Sequence, residues 1–180
     1  MAAIESLQTQ SVAIGAVCRT VVEALRAGNK ILTAGNGGSA AESLHMAEEF
    51  VGRFRGNRVS LPAVALTADS TVLTCIGNDF GFDEIFSRQI EGLGKAGDVL
   101  VLFSTSGNAA NLARALEAAT ACGVATVALL GRDGGALAGR ADHEILVPGS
   151  ATERIQEAHQ VLLHLILDEV EHVFSGDSEC

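Results

Sequence analysis

The chain has 180 residues, 48% of them hydrophobic, and a formal net charge of −10. That length suits one compact domain with a sizeable core, and the apolar fraction excludes a disordered chain. The acidity argues against nucleic acid as a partner, and no apolar run reaches the roughly 18 residues of a membrane span.

From the N-terminus, Ile4 to Ala27 reads as a helix, or two helices end to end, with Val12, Ala16, Val17, Val21 and Leu25 at helical spacing. Gly28-Asn29 is a helix stop. Lys30 to Ala34 reads as a buried strand that runs into Gly35-Asn36-Gly37-Gly38-Ser39, with a helix over about 40–54. Val59 to Thr67 holds a second strand. Leu73 to Asn78 leads into a polar turn, and Phe82 to Leu93 reads as a helix. Asp98 to Phe103 is a strongly apolar strand ending in Ser104-Thr105-Ser106-Gly107-Asn108, followed by a helix through about Cys122. Ala125 to Leu130 is another buried strand. Ala138 to Ala141 reads as a short helix or turn, and His143 to Val147 as a short strand closed by Pro148. A long helix fills about 150–174, and the tail from Ser175 to Cys180 is expected to fray.

Strands alternate with helices, and several strands are apolar on both faces. The pattern predicts an α/β fold with a central parallel sheet covered by helices on each side. Right-handed crossovers then collect the strand-to-helix loops at one sheet edge, where ligands bind. One domain spans 1–180: a helical segment (about 1–28), a sheet-and-helix core (about 29–148) and the C-terminal helix (about 150–174). With aromatics at 4% and neither Trp nor Tyr, the core is expected to be aliphatic. The cysteines (Cys18, Cys75, Cys122, Cys180) are scattered, without CxxC spacing, and read as reduced thiols. No basic-flanked apolar leader opens the chain, so a cytoplasmic location is expected.

Two loops stand out. Gly35-Asn36-Gly37-Gly38-Ser39-Ala40 lies between a strand and a helix, where glycines allow close backbone approach and helix-start N–H groups favour an anion. Alone, it could equally be a tight turn. Ser104 to Asn108 occupies the same kind of position. Helix capping needs one hydroxyl, and three in a row exceed that need. The two loops together point to a phosphate-bearing ligand. Neither carries the Gly-Lys-Ser/Thr of a P-loop or the GxGxxG of a dinucleotide site.

Just past the first loop, His45 and Glu49 stand four apart and share a helix face. The spacing suits two ligands of one metal, a carboxylate base with a partner, or a solvated surface pair. The final helix carries Gln156, His159 and His164, and residues 156, 160 and 164 step by four. Gln156 and His164 are about 12 Å apart along a straight helix. If both serve one site, copies of this helix from different subunits must converge there. His164 in the apolar stripe Val161 to Leu167 also fits a buried, satisfied histidine. His143 and His172 are given no role.

Taken in order, GNGGSA (35–40), HMAEEFVGRF (45–54), GNDFGFDEIFSRQI (77–90), STSGN (104–108) and RIQEAHQVLLH (154–164) resemble the phosphoheptose isomerases of the SIS domain family. The resemblance runs from about Gly28 to Val173. It implies a flavodoxin-like three-layer SIS fold in a homotetramer, with active sites between subunits. It implies interconversion of sedoheptulose 7-phosphate and D-glycero-D-manno-heptose 7-phosphate, an early step toward heptose for lipopolysaccharide or related glycans. By resemblance, Glu49 is the general base and His164 the general acid. The zinc site, one ion per subunit, is His45, Glu49, Gln156 and His164. Asn36, Gly37, Gly38, Ser39, Glu49, Asn78, Asp79, Ser104, Thr105, Ser106 and Gln156 line the substrate. The family reads STSGNS, and this chain has Ala109 in place of the last Ser. That removes one hydrogen bond, worth about 0.5–1.5 kcal/mol, and leaves room for a related sugar phosphate.

Aldose–ketose isomerisation needs a base at the C1–C2 pair, an acid for the carbonyl oxygen and a grip on the distant phosphate. The residues above offer each part. The rival reading is a non-catalytic scaffold of the same fold, resembling the replication-initiator-associating protein. That pattern lacks the acid at position 49 and the imidazole at 164, both present here. Arabinose 5-phosphate isomerases usually carry regulatory domains for which 180 residues leave no room. A sugar-phosphate sensor would need a DNA-binding segment, and none is visible.

Overall fold

Two runs are buried at every position, Ile31–Gly35 (β1) and Val99–Ser104 (β3), and a third, Ala125–Gly131 (β4), at all but its first residue. Strands with no solvent face need helices on both sides. In the computed structural model, which describes residues 2–175, these three form the centre of one parallel sheet. The short Ala63–Ala65 (β2) and the partly buried His143–Val147 (β5) take its edges, giving the order β2-β1-β3-β4-β5. This is the flavodoxin-like order, and the expected α/β architecture is the one adopted.

Side chains alternate across the sheet with the two-residue strand period. Ile31, Val99, Val101, Phe103, Val127 and Leu129 face one core. Leu32, Ala34, Leu100, Leu102, Ala128 and Leu130 face the other. The first core is closed by α2 (Ser11–Arg26), α3 (Gly38–Val51) and α7 (Thr152–Phe174). The second is closed by α4 (Ser70–Asp79), α5 (Ser87–Leu93) and α6 (Ala110–Ala121). Each fully buried Leu, Ile or Val contributes about 1.5–3 kcal/mol, so two aliphatic layers carry most of the stability. Where β1 and β3 begin, buried Asp98 accepts the Lys30 N–H at 3.0 Å and the Lys95 N–H at 2.8 Å and pairs with the Lys30 ammonium.

Several boundaries differ from expectation. The N-terminal stretch divides into α1 (Ala2–Glu5), a 3-10 turn (Ser6–Gln10) and α2. The second strand shrinks to three residues after Pro62, which has no N–H for a ladder. The segment read as leading to a polar turn is a helix, α4. Asp69 starts it by accepting the Thr71 and Val72 N–H groups at 2.8 and 3.1 Å, a cap the apolar pattern alone does not reveal. Phe82 to Leu93 breaks into a 3-10 turn (Phe82–Glu84) and α5. The short turn near 138 falls instead at Gly135–Leu137. The expectation for the tail beyond Ser175 lies outside the described residues. Among those residues, no helix is long and apolar enough to cross a membrane.

The order reverses between β1 and β3. The chain leaving β1 turns onto one face as α3, and the chain leaving β3 turns onto the other as α6. A crevice opens where they part, at the carboxyl ends of the strands.

Candidate active site

Gly35 at the end of β1 pairs with Phe103 on β3, so the two loops singled out in the sequence lie side by side. Gly37 takes φ 59° and ψ −121°, which side-chain-bearing residues avoid, and this lets the chain enter α3 after two residues. Asn36 and Asn111 exchange two amide hydrogen bonds of 2.9 Å, which tie the loops together. Between them lies a cavity of about 80 Å³ lined by Asn36, Ser39, Ser104, Thr105, Ser106 and Ala109. Ser104 Oγ accepts the Gly107 N–H at 3.0 Å and Ser106 Oγ accepts the Asn108 N–H at 3.3 Å. Each hydroxyl keeps its own proton to donate to an anion. Ala109 occupies the N-cap position of α6 and supplies no side-chain cap. Asn78 and Asp79 do not line this cavity. They end α4 on an exposed surface, where Asn78 Nδ2 donates to Asp79 Oδ1 at 2.7 Å.

Further along α3, His45 Nε2 lies 3.1 Å from Glu49 Oε1. Packing of α3 on α7 brings His164 to the same place. Its ring centroid is 5.5 Å from that of His45, nearly edge-on, and 5.4 Å from that of Phe54, which stacks on it. A single chain therefore sets His45 between Glu49 on its own helix and His164 on α7. Gln156 stays apart. Its amide packs so tightly against Gly38 that a Cβ there would collide with it. It lines a wider cleft of about 520 Å³ with Glu42, Glu153, Glu157 and Gln160. On α3, His45, Glu48 and Glu49 form a group that could hold a metal ion, each offering a ligand atom within 4.8 Å of the others. The donors fit zinc: imidazole nitrogen and carboxylate oxygen are common ligands, and two tetrahedral ligands at 2.0–2.1 Å stand about 3.3 Å apart.

The SIS domain model matches residues 2–131. The chain is 53% identical over 161 residues to the phosphoheptose isomerase of Geobacter sp. (strain M21), covering 89% of this chain and 84% of the relative. It is 50% identical over 160 residues to that of Akkermansia muciniphila, again covering 89% of this chain and 85% of the relative. The phosphoheptose isomerase GmhA from Neisseria gonorrhoeae superposes with a TM-score of 0.83 at 42% identity, covering 93% of this chain and 94% of that one. The chain belongs to the phosphoheptose isomerases of the SIS family. It is a sugar-phosphate isomerase, and its two loops and its α3–α7 cluster are read accordingly. A sugar isomerase domain of an RpiR transcription factor, 18% identical with a TM-score of 0.64, shares the fold alone.

Within this phosphoheptose isomerase fold, the structure brings forward four polar residues to which the sequence reading assigned no role. Gln160 donates from Nε2 to His45 Nδ1 at 2.7 Å and to His164 Nε2 at 3.1 Å. Its signal was the four-residue step through 156, 160 and 164. Glu48 joins the metal-type group from an exposed position, which sequence spacing does not single out. Glu42 and His159 face each other across the α3–α7 seam with Nδ1 and Oε2 4.0 Å apart. None of their four side-chain polar atoms has a hydrogen-bond partner among the described residues. Burial pushes Glu42 up from 4.5 to about 7, with the nearby Ser39 hydroxyl offsetting part of the rise. Burial pushes His159 down from 6.5 to about 4. No period or motif marks this pair, because the contact joins residues 117 positions apart in two different helices.

Proposed function

We propose that the chain interconverts sedoheptulose 7-phosphate and D-glycero-D-manno-heptose 7-phosphate through an enediol. The observation that carries this is that His45 and Glu49, on the helix that starts at the anion-type cavity, lie where α7 brings His164 against His45. The Ser104 to Ser106 hydroxyls, with Asn36, Gly37, Gly38 and Ser39, hold the phosphate. Binding energy from that remote group positions the reactive end. The Glu49 carboxylate takes a proton from C1 of the ketose while His164 protonates the C2 oxygen, so that the C1–C2 double bond forms as the carbonyl opens. His164 then recovers the O1 proton, C1 becomes the carbonyl carbon, and Glu49 returns a proton to C2.

His45, Glu49 and His164, with Gln156, would hold a zinc ion, which when bound would stabilise negative charge on the enediol oxygens. Gln156 sits at Gly38 in its own chain, and a second copy of α7 would bring it to this set. That requirement supports a homotetramer with sites between subunits. An open apolar groove of about 470 Å³ beside α7, lined in part by Ile4, Leu7, Ile14, Val161 and Leu165, supports packing of another copy. The setting would be the cytoplasm, feeding heptose to lipopolysaccharide or a related glycan. Glu49 and His164, the two groups a non-catalytic scaffold lacks, are both present here and both lie beside His45, which favours the enzyme.

Turnover of sedoheptulose 7-phosphate by the purified chain, with added zinc and after chelation, tests the reading. Conversion to the heptose 7-phosphate that stops on chelation is the expected result. Conversion that survives chelation keeps the isomerase and removes the metal. Absence of conversion in both arms, with binding to a replication initiator in a pull-down, would favour the scaffold.

A further inference from the structure

Gln160 has no part in the chemistry above, yet it touches both imidazoles of the cluster. It stands on α7 one turn before His164, and its amide Nε2 donates to His45 Nδ1 at 2.7 Å and His164 Nε2 at 3.1 Å. Those rings belong to different helices, so one side chain bridges the seam where the cluster forms. With Nδ1 of His45 engaged, Nε2 is the edge that meets Glu49 Oε1 at 3.1 Å. The far side of His164 is closed by Phe54, 5.4 Å away and tilted by 26°. Of the contacts on these two rings, the Gln160 amide is the one they share.

We propose that Gln160 is a positioning residue that holds His45 and His164 at a fixed separation and keeps His45 Nε2 turned toward Glu49. An amide suits the task because rotation by half a turn exchanges its NH₂ for its carbonyl oxygen. It engages His45 Nδ1 whether that nitrogen offers a lone pair or a proton. The second state is the one required when Nε2 carries a metal, since a metal-bound imidazole donates its other N–H to an oxygen. A leucine offers neither donor nor acceptor. A glutamate offers the acceptor, and so suits the protonated nitrogen. The kinetic consequence rests on the isomerase reading; the clamp itself does not.

The test uses Gln160→Leu and Gln160→Glu in the full-length chain, with two readouts. The first is the ¹⁵N spectrum of the imidazoles in metal-free protein, which reports ring tautomer and contacts without turnover. The second is steady-state kinetics with sedoheptulose 7-phosphate, with zinc affinity measured by competition against a chromophoric chelator. Gln160→Leu is expected to shift the signals of both His45 and His164. It should also lower kcat and zinc affinity by about 10- to 100-fold, as loss of an outer hydrogen bond to a ligand does, while KM holds. Gln160→Glu should recover most of both losses. Unchanged His45 and His164 signals in Gln160→Leu overturn the clamp whatever the activity, and so does a Gln160→Glu variant as poor as the leucine one. A wild-type chain inactive on this sugar would overturn the assigned function alone, because the imidazole spectrum still decides the clamp.

Discussion

The seam between α3 and α7 carries two imidazole–carboxylate pairs made of the same residue types and placed in opposite environments. In the outer pair, the side chains of His45 and Glu49 are 35% and 15% exposed and hydrogen-bonded at 3.1 Å. In the inner pair, those of His159 and Glu42 are 0% and 8% exposed, 4.0 Å apart and without hydrogen bonds among the described residues. Glu42 and Glu49 are seven residues apart on one helix, about two turns. The outer pair is partly exposed, with a bridging amide and a second imidazole beside it, so it can carry charge and exchange protons. The inner pair is buried, with Glu42 at the edge of the cleft that Gln156 lines, and desolvation penalises charge on either group. Residue type is shared; water access and neighbours set the difference in role.

The largest effect expected from this contrast is catalytic. Glu49→Gln removes the base while keeping shape, and general-base catalysis contributes about 10²- to 10⁴-fold. Turnover should fall by that order with KM little changed. Glu42→Gln makes the same chemical change at the buried position and should leave kcat close to wild type. Steady-state kinetics on both variants, with circular dichroism to confirm folding, decides the point. Equal losses would break the comparison and place Glu42 in the reaction.

The inner pair should show itself instead in the dependence of stability on pH. Below its raised pKa of about 7, folded Glu42 holds a proton that the unfolded chain releases above 4.5. Alone, that makes stability fall as pH rises from 4.5 to 7. Folded His159 lacks, down to about 4, a proton that the unfolded chain binds below 6.5. Alone, that makes stability fall as pH drops from 6.5 to 4. Between 4.5 and 6.5 both states bind one proton across the pair, so the two slopes cancel. Wild-type protein should therefore draw nothing from this pair's titration across that window. Glu42→Gln leaves the histidine uncompensated and should lose about 3 kcal/mol between pH 6.5 and 4, at 1.36 kcal/mol per unit. Urea titrations at a series of pH values measure this. A flat profile in Glu42→Gln would show that His159 is not held neutral by burial.

Much of this was legible in the sequence, and the part that was not has a common cause. Fully apolar runs such as Val99–Ser104 announce buried parallel strands, because no other element hides both faces. The loops at Asn36–Ser39 and Ser104–Ser106 were visible as composition, and the β1–β3 adjacency then put them on one cavity. His45 and Glu49 were visible as a helical pair because the four-residue step is local. Glu42 with His159 and Gln160 with His45 were not, because each contact crosses between helices more than a hundred residues apart. Their register is fixed by core packing, such as Met46 and Phe50 sharing one cluster with Ile155 and Leu162. The α4 helix was missed for a different reason. Only Ile76 of its ten residues is buried, so it lacks the apolar stripe that periodicity reads, and the Asp69 cap carries the signal instead.

The smallest effect comes from removing the inner pair altogether. A buried carboxyl and imidazole without hydrogen bonds pay their desolvation cost and recover little of it. Replacing both by apolar groups of similar size, Glu42→Met with His159→Leu, removes that cost and keeps the seam filled. Such double replacements of buried polar pairs are commonly neutral or stabilising. The double variant should therefore match wild type or gain about 1 kcal/mol in urea unfolding near pH 7, toward the low end of that range. The equivalent change at the outer pair, His45→Leu with Glu49→Met, should also leave stability nearly unchanged, for the different reason that those side chains are partly solvated, and it should abolish turnover. A loss of more than about 2 kcal/mol in the inner double variant would mean that Glu42 and His159 bond to each other or to a trapped water in solution. The inner pair would then resemble the outer one, and the contrast between them would reduce to depth alone.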